Sequence, residues 1–210
     1  MKMKIIKHVI VSLFALVLFF VNSVPGAAVF AEEQNKELSE EQQKVMKLWQ
    51  KYTTPGENHK HLEYYIGDWE SIQKIFPEPG AEPVIRKQEI NVKSIFGGRF
   101  LKAHIKGKNE IMGISPETIV ITGYDNYKKE FFALSYGNMG TRYHITCGTL
   151  DKTGKIRTET GGFDDLITGK KIKVKAVTTI IDRDKYVYLL YQIDPSGNES
   201  RLMEITYTRK

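Results

Sequence analysis

Hydrophobic and polar side chains alternate with a period of two from about His61 to the end of the chain, and turn-forming segments interrupt this alternation repeatedly. A period of two predicts β-strands, and short turns such as YDNYKKE, DKTGK and DPSGNE predict antiparallel neighbours. The strand-like runs lie near 62–75, 84–95, 99–107, 117–124, 130–136, 139–149, 155–161, 170–182, 185–194 and 200–209. With no helical period between them, they predict an all-β fold: an antiparallel meander of about ten strands that closes into a barrel and so removes its exposed edges.

The alternation also predicts which side chains share a face of a strand. One face of segment 88–96 carries Gln88, Ile90, Val92, Ser94 and Phe96. In segment 171–182, a face with Ile172, Val174, Ala176, Thr178 and Ile180 opposes Lys171, Lys173 and Lys175. Segment 186–193 is apolar on both faces, so one face lines the interior and the other needs a cover.

A single amphipathic helix precedes the strands. Leu38, Val45, Leu48, Trp49 and Tyr52 recur at helical spacing in a charged stretch that is free of glycine and proline. Ser39 and Gln42 have capping-box spacing at its start, and Pro55-Gly56 ends it. We expect its apolar stripe to pack on the outside of the barrel; the alternative is a helix that binds a partner. The predicted organisation is therefore a helix and linker at 32–57, followed by a barrel domain at 58–210.

Residues 1–31 have the pattern of a secretory signal peptide. Lysines at 2, 4 and 7 precede an apolar run at 9–21, and small residues lead to Ala31. The run is shorter than the roughly 20 residues of a membrane-spanning helix. The sequence therefore predicts cleavage after Ala31 and a secreted or periplasmic protein with no stable membrane span; the alternative is an uncleaved anchor.

Composition excludes some classes of function. Cys147 is the single cysteine, so no internal disulfide can form and the core alone must hold the exported domain. The predicted signal peptide holds three of the 31 lysines and arginines and none of the 25 acidic residues. The remaining chain is only mildly basic, and we predict no nucleic-acid partner. The sequence does not predict an oligomeric state.

Two resemblances follow from short motifs. Gly67-Asp68-Trp69 on the first strand resembles the Gly-x-Trp of lipocalins and related calycin barrels. That resemblance implies a glycine that allows close backbone approach, an indole that plugs the barrel base and an arginine from the last strand, here Arg209, stacked on the indole. The segments TPGENHKHLEYYIGDWE, GGRFL, GYDNYKKEF, TGKKIKVK and MEITYTRK resemble the bacterial family labelled domain of unknown function 1579. This family has no settled activity, so the resemblance implies a calycin-like barrel and little chemistry.

Few residues suggest catalysis or metal binding. His59 and His61 lack a third ligand at a convincing spacing, and we predict no metal site. His144 and Cys147 lie three residues apart on one strand, hence on opposite faces, which disfavours a Cys–His nucleophile. No nucleophile elbow, phosphate loop or dinucleotide fingerprint is present in the sequence. We therefore predict no cofactor and favour a binding protein over an enzyme.

Aromatic residues of the middle and late strands are the remaining candidates. We predict that a small hydrophobic or amphipathic ligand lies in the barrel interior. The predicted lining residues are Phe132, Tyr136, Met139, Arg142, Tyr143 and Tyr188. The alternatives are a structural or interaction protein whose barrel is filled by side chains, and an enzyme, since some calycins hold haem or act as isomerases. His144 is the residue that the haem alternative implicates.

Overall fold

The structure, a computed structural model, describes residues 39–78, 80–166 and 168–210. The predicted signal peptide lies outside the described residues. The chain divides into two compact units, one ending at Thr53 and the other running from Thr54 to Lys210.

The first unit contains helix α1 (Glu40–Thr53). Ser39 and Gln42 form the predicted reciprocal cap: the Ser39 backbone N–H donates to Gln42 Oε1 at 2.9 Å, and the Gln42 N–H donates to Ser39 Oγ at 3.3 Å. At the other end, the Thr53 hydroxyl donates to the Trp49 carbonyl at 2.9 Å. The packing of this helix on the barrel stays a prediction.

The second unit is a closed barrel of ten antiparallel strands, which confirms the predicted fold class. The strands are β1 (Gly67–Ile75), β2 (Val84–Ile95), β3 (Phe100–Gly107), β4 (Glu117–Asp125), β5 (Glu130–Gly137), β6 (Tyr143–Leu150), β7 (Ile156–Asp164), β8 (Lys171–Asp182), β9 (Lys185–Ile193) and β10 (Glu199–Arg209). Each strand pairs with the next in sequence, and β1 pairs with β10 to close the barrel.

The prediction that the first strand begins near residue 62 was wrong. Residues 57–63 form a short helix, α2 (Glu57–Glu63), and β1 begins at Gly67. The Gly56 N–H donates to His59 Nδ1 at 3.1 Å, and the His59 N–H donates to the Gly56 carbonyl at 2.9 Å. Leu62 and Tyr65 are buried in the barrel core, and their spacing of three residues fits a helical turn that packs on the barrel end rather than a strand.

Strand alternation places one set of side chains inside the barrel. On β8, Val174 and Thr178 are buried and line the interior, as the alternation predicted. On β9, which is apolar on both faces, the interior face consists of Tyr186, Tyr188 and Leu190.

The Gly67–Trp69 motif closes the end of the barrel near α2. The Trp69 side chain has no exposed surface, and its indole N–H donates to the Tyr65 carbonyl at 2.9 Å. The Arg209 guanidinium lies over the indole and donates to the Ile66 carbonyl at 2.8 Å. A Cβ at Gly67, where φ is +127°, would lie 3.0 Å from Arg209 Nη1. Glycine is therefore required here both by the backbone conformation and by the arginine.

No helix among the described residues has the length and apolar character needed to cross a membrane.

Candidate functional site

The barrel encloses a cavity of about 460 Å³ to which every strand contributes side chains. Most of its wall is apolar and includes Ile90, Val92, Leu101, Val120, Leu190 and Ile205. The end near α2 is closed by the buried side chains of Leu62, Tyr65 and Phe131. At the opposite end, the lining residues His144 and Ile145 are exposed, so the cavity communicates with solvent there.

A buried ion pair lies in this apolar wall, on β7. Arg157 and Glu159 are two residues apart, so their side chains share one face of the strand, and both line the cavity. Arg157 Nε lies 3.2 Å from Glu159 Oε2, and the two residues are 7% and 1% exposed. The guanidinium carbon lies 5.6 Å from the ring centroids of both Tyr65 and Phe131, within cation–π range. The pair is therefore held near the closed end of the cavity.

Several polar atoms of this region have no hydrogen-bond partner among the residues that the structure describes. They are Arg157 Nε and Nη1, Glu159 Oε1 and Thr178 Oγ1. Although Arg157 Nε is close to the Glu159 carboxylate, it is not oriented to donate a hydrogen bond to it. Buried polar groups are nearly always hydrogen-bonded, and leaving one unpaired costs about 1–3 kcal/mol, more for a charged group. A concentration of such atoms in one cavity indicates a place where a ligand or solvent supplies the missing partners.

Burial changes the acid–base properties of the groups around the cavity. Burial raises the pKa of Glu159, and the positive charge of Arg157 opposes this shift. Burial raises the pKa of Tyr188 to about 12 and also raises the pKa of Tyr65 and Tyr207. These tyrosines are therefore neutral at physiological pH.

A hydrogen-bonded chain of polar side chains occupies another part of the wall. The Ser71 hydroxyl donates to Gln88 Oε1 at 3.1 Å, and Gln88 Nε2 donates to Gln73 Oε1 at 3.3 Å. Gln73 Nε2 then donates to Met203 Sδ at 3.0 Å. Strand β2, which carries Gln88, is five strands from β7 in either direction around the barrel. The internally paired glutamines thus lie across the cavity from the ion pair and its unpaired atoms.

Of the six predicted lining residues, Tyr188 lines the cavity and five lie elsewhere. Phe132 is on the outer face of β5, where its ring packs 6.0 Å from that of Phe100, and both rings cover Gly123. Tyr136 and Tyr143 are 46% and 70% exposed.

Met139 and Arg142 miss the cavity for a different reason. The strand predicted at 139–149 begins only at Tyr143, so both residues lie in the turn before it. Met139 is exposed, and Arg142 Nη2 lies 3.8 Å from Asp164 Oδ2. As cavity-lining residues these two were wrongly assigned, because the boundary of the strand was set too early.

The histidines and the cysteine show no catalytic arrangement. His144 lines the open end of the cavity, with its ring 5.8 Å from that of Phe163. Cys147 does not line the cavity and is the cross-strand partner of the outward-facing Phe132. His59 is used as a cap of α2. Within the described part of the chain, no group of three or more His, Cys, Asp or Glu side chains could hold a metal ion.

Sequence reasoning missed Arg157 and Glu159. In the segment IRTET, charged residues alternate with Ile156, Thr158 and Thr160, which is typical of a solvated strand face. Strand pairing instead places both side chains inside the barrel, since Glu159 pairs with Ala176 and Arg157 with Thr178. Both partners belong to the β8 face that opposes the three lysines, and this register would have identified the pair.

Comparisons with known proteins place the chain in a family. No curated protein matches its sequence. Among solved structures, the crystal structure of Rv2717c from M. tuberculosis matches with a TM-score of 0.53 and 14% sequence identity, over 75% of this chain and 99% of that chain. At that identity the likeness concerns the fold alone. A family model described as "Protein of unknown function (DUF1579)" matches residues 54–209, the whole barrel with its closing helix. The chain therefore belongs to the DUF1579 family.

Proposed function

We propose that this protein is an exported binding module that holds a small hydrophobic or amphipathic molecule inside its barrel. The single observation that carries the proposal is the cavity of about 460 Å³, which lies within the 300–1,000 Å³ typical of small-molecule sites. Its apolar wall suits a hydrocarbon or aromatic body, whose transfer from water contributes about 25 cal/mol per Å² of apolar surface.

The same cavity favours a binding role over a purely structural one. A barrel filled by its own side chains would need large residues at the inward positions. Here many of those positions hold small residues, such as Ala103, Ala133, Ser135 and Gly162, and the space between the walls remains. The proposal includes a barrel of the calycin type, which the plugging of one end by Trp69 and Arg209 supports.

A cavity-filling variant tests the proposal. Ala133 lines the cavity, whereas its neighbour Leu134 lies on the outer face of the same strand. We expect the purified barrel to bind Nile red, Ala133→Phe to weaken that binding by at least about tenfold, and Leu134→Phe to leave it unchanged. Equal effects of the two variants, or the absence of dye binding by the folded protein, would overturn the proposal.

Native mass spectrometry of protein purified from its source provides a second test. We expect a bound small molecule that is released on denaturation. In a parallel titration with haem, a Soret band that His144→Ala removes would favour the haem-binding alternative instead, because His144 is the histidine that lines the cavity.

A further inference from the structure

We infer that the ligand enters with a neutral polar end that carries a hydrogen-bond acceptor beside a donor, as a carboxamide does, and that this end binds at Arg157 and Glu159. The inference rests on the proposed function, since it assigns a chemical class to the molecule in the same cavity. It makes the protein a receptor for apolar amides and other uncharged molecules with the same paired head, rather than for fatty acids.

The ion pair leaves part of its hydrogen-bonding capacity unused. Arg157 Nη1 is a donor and Glu159 Oε1 is an acceptor, and neither has a partner among the described residues. Both side chains are more than nine-tenths buried and line the cavity. A ligand that contacts both must therefore present one acceptor and one donor.

The charged side chains of the cavity wall favour a neutral ligand head. Arg157 is the one lysine or arginine, and Glu159 the one aspartate or glutamate, among the described residues that line the cavity. The two opposite charges balance, so the cavity has no excess charge to stabilise an ion. A carboxylate would place a second negative charge beside Glu159, and an ammonium group a second positive charge beside Arg157. Like charges brought together in a desolvated site are strongly unfavourable. A neutral head avoids both costs.

The geometry of the ion pair fits a head group with a donor beside an acceptor. The contact between Arg157 Nε and Glu159 Oε2, at 3.2 Å, brings the two side chains side by side. The unpaired donor and the unpaired acceptor are thus on neighbouring side chains. The carbonyl oxygen and the N–H of an amide are neighbours in the same way, so one amide can pair with both. Thr178 is the cross-strand partner of Arg157, and its buried, unpaired hydroxyl can donate to or accept from the same head. A hydroxyl group carries both functions on one oxygen and offers fewer contacts to these three side chains.

The position of Arg157 in the barrel sets the orientation of the ligand. Arg157 packs against Tyr65 and Phe131 near the closed end of the barrel, whereas the opening lies near His144 and Ile145. The polar head therefore lies at the bottom of the cavity, and the apolar body extends along the aliphatic wall towards the opening.

The test compares three probes of ten carbon atoms each: decanamide, decanoate and decanol. Their affinities are measured by displacement of Nile red from the intact barrel, at neutral to alkaline pH. We expect decanamide to bind at least about tenfold more tightly than decanoate and more tightly than decanol, because the charged head is penalised and the hydroxyl makes fewer contacts.

Two variants assign that preference to the proposed residues. Glu159→Gln removes the negative charge and leaves Arg157. We therefore expect the affinity for decanoate, relative to that for decanamide, to rise by at least about tenfold. Glu70→Gln makes the same chemical change on the outward face of β1 and serves as the control; it should leave the ranking unchanged. Thr178→Val, which removes one hydroxyl at constant shape, should weaken decanamide binding more than it weakens Nile red binding, because the amide head loses a hydrogen-bond partner.

The outcomes separate this inference from the proposed function. If none of the probes and no dye binds, the proposed function itself fails. If the dye and the probes bind but decanoate equals or exceeds decanamide in the unmodified protein, the cavity is a ligand site and the inference about its head group is wrong. This comparison needs no variant, so it holds even if Glu159→Gln does not fold.

Discussion

The Arg209 guanidinium carbon lies 4.0 Å from the centroid of the Trp69 indole ring, and the two residues are direct cross-strand partners in the β1–β10 pair. The arginine also donates to the carbonyls of Tyr64 and Ile66, at 2.7 and 2.8 Å, in the segment that links α2 to β1. One side chain of the last strand therefore joins the indole, the start of the first strand and the closing helix.

We expect Trp69→Ala to reduce the free energy of unfolding by about 3–5 kcal/mol, because it truncates a fully buried aromatic side chain. Arg209→Ala should cost less. The double variant should be less destabilised than the sum of the two, by at least about 0.5 kcal/mol, since the side chains touch. Urea unfolding of the four proteins measures this coupling. Additive effects would contradict an energetic role for the stacking.

The buried ion pair gives a second prediction. Arg157→Met and Glu159→Leu should each reduce the free energy of unfolding by about 3–5 kcal/mol, because each leaves a buried charge without its partner. The double variant should be as stable as the unmodified protein, or more stable by about 1–4 kcal/mol, since both desolvated charges are gone. Chemical denaturation checks the three variants. A double variant that is less stable than the unmodified protein would show that the pair is a net source of stability.

Acidification should destabilise the protein through His61. Burial lowers the pKa of His61, and the positive charge of Arg157 lowers it further. The folded state therefore binds this proton less readily than the unfolded chain, so the contribution is present above about pH 6.5 and is lost as pH falls through the lowered pKa. Urea unfolding of the unmodified protein and of His61→Phe at about pH 7 and about pH 5.5 measures the difference.

We expect the His61→Phe variant to lose less stability than the unmodified protein over that interval. His59 has a lowered pKa as well, and it remains in both proteins, so its contribution cancels in the comparison. Glu159 contributes a pH dependence of opposite sign, because its raised pKa makes the free energy of unfolding fall as pH rises above the ordinary value of 4.5. This contribution is present in both proteins, so it cancels in the comparison as well. Equal pH dependence of the two proteins would contradict a partly buried, neutral His61.

The amino terminus gives a fourth prediction. If residues 1–31 direct export, the protein recovered from the culture medium or periplasm should begin at Glu32, as mass spectrometry of its amino-terminal peptide would show. A bulky charged residue at the cleavage position, Ala31→Arg, should leave the uncleaved precursor in the membrane fraction. Exported protein that retains residues 1–31 would favour the uncleaved anchor.

The architecture was predictable because side-chain alternation and turn residues are local signals. Each strand needs only its own period of two, and closure follows from the need to pair the edges of a long meander. Local signals failed at residues 62–66. The apolar residues of this segment suggested a strand, but they belong to the end of a helix and to the residues that follow it. A segment this short fits both periods, so only its packing on the barrel end decides between them.

The site was much less predictable, because it depends on the absolute register of the strands. A shift of one residue exchanges the inner and outer faces, so composition alone placed Phe132 inside although it lies outside over Gly123. The same ambiguity concealed Arg157 and Glu159, since charged residues in a strand usually face solvent. By contrast, Trp69 and Arg209 were identified because their motif specifies a position at the barrel end as well as a residue type.

The pairing of β1 with β10 has a kinetic consequence. The other nine strand pairs join neighbours in the chain and can form as local hairpins, but Lys74 and Glu204, which meet across the closing pair, are 130 residues apart. Loop-closure entropy makes such a long-range contact slow to form, and until it forms both outer strands expose unpaired edges. We therefore expect the docking of the last strand to be a late step of folding. A chain that lacks its final residues would remain an open, aggregation-prone sheet, even though nearly all of its hairpins are complete.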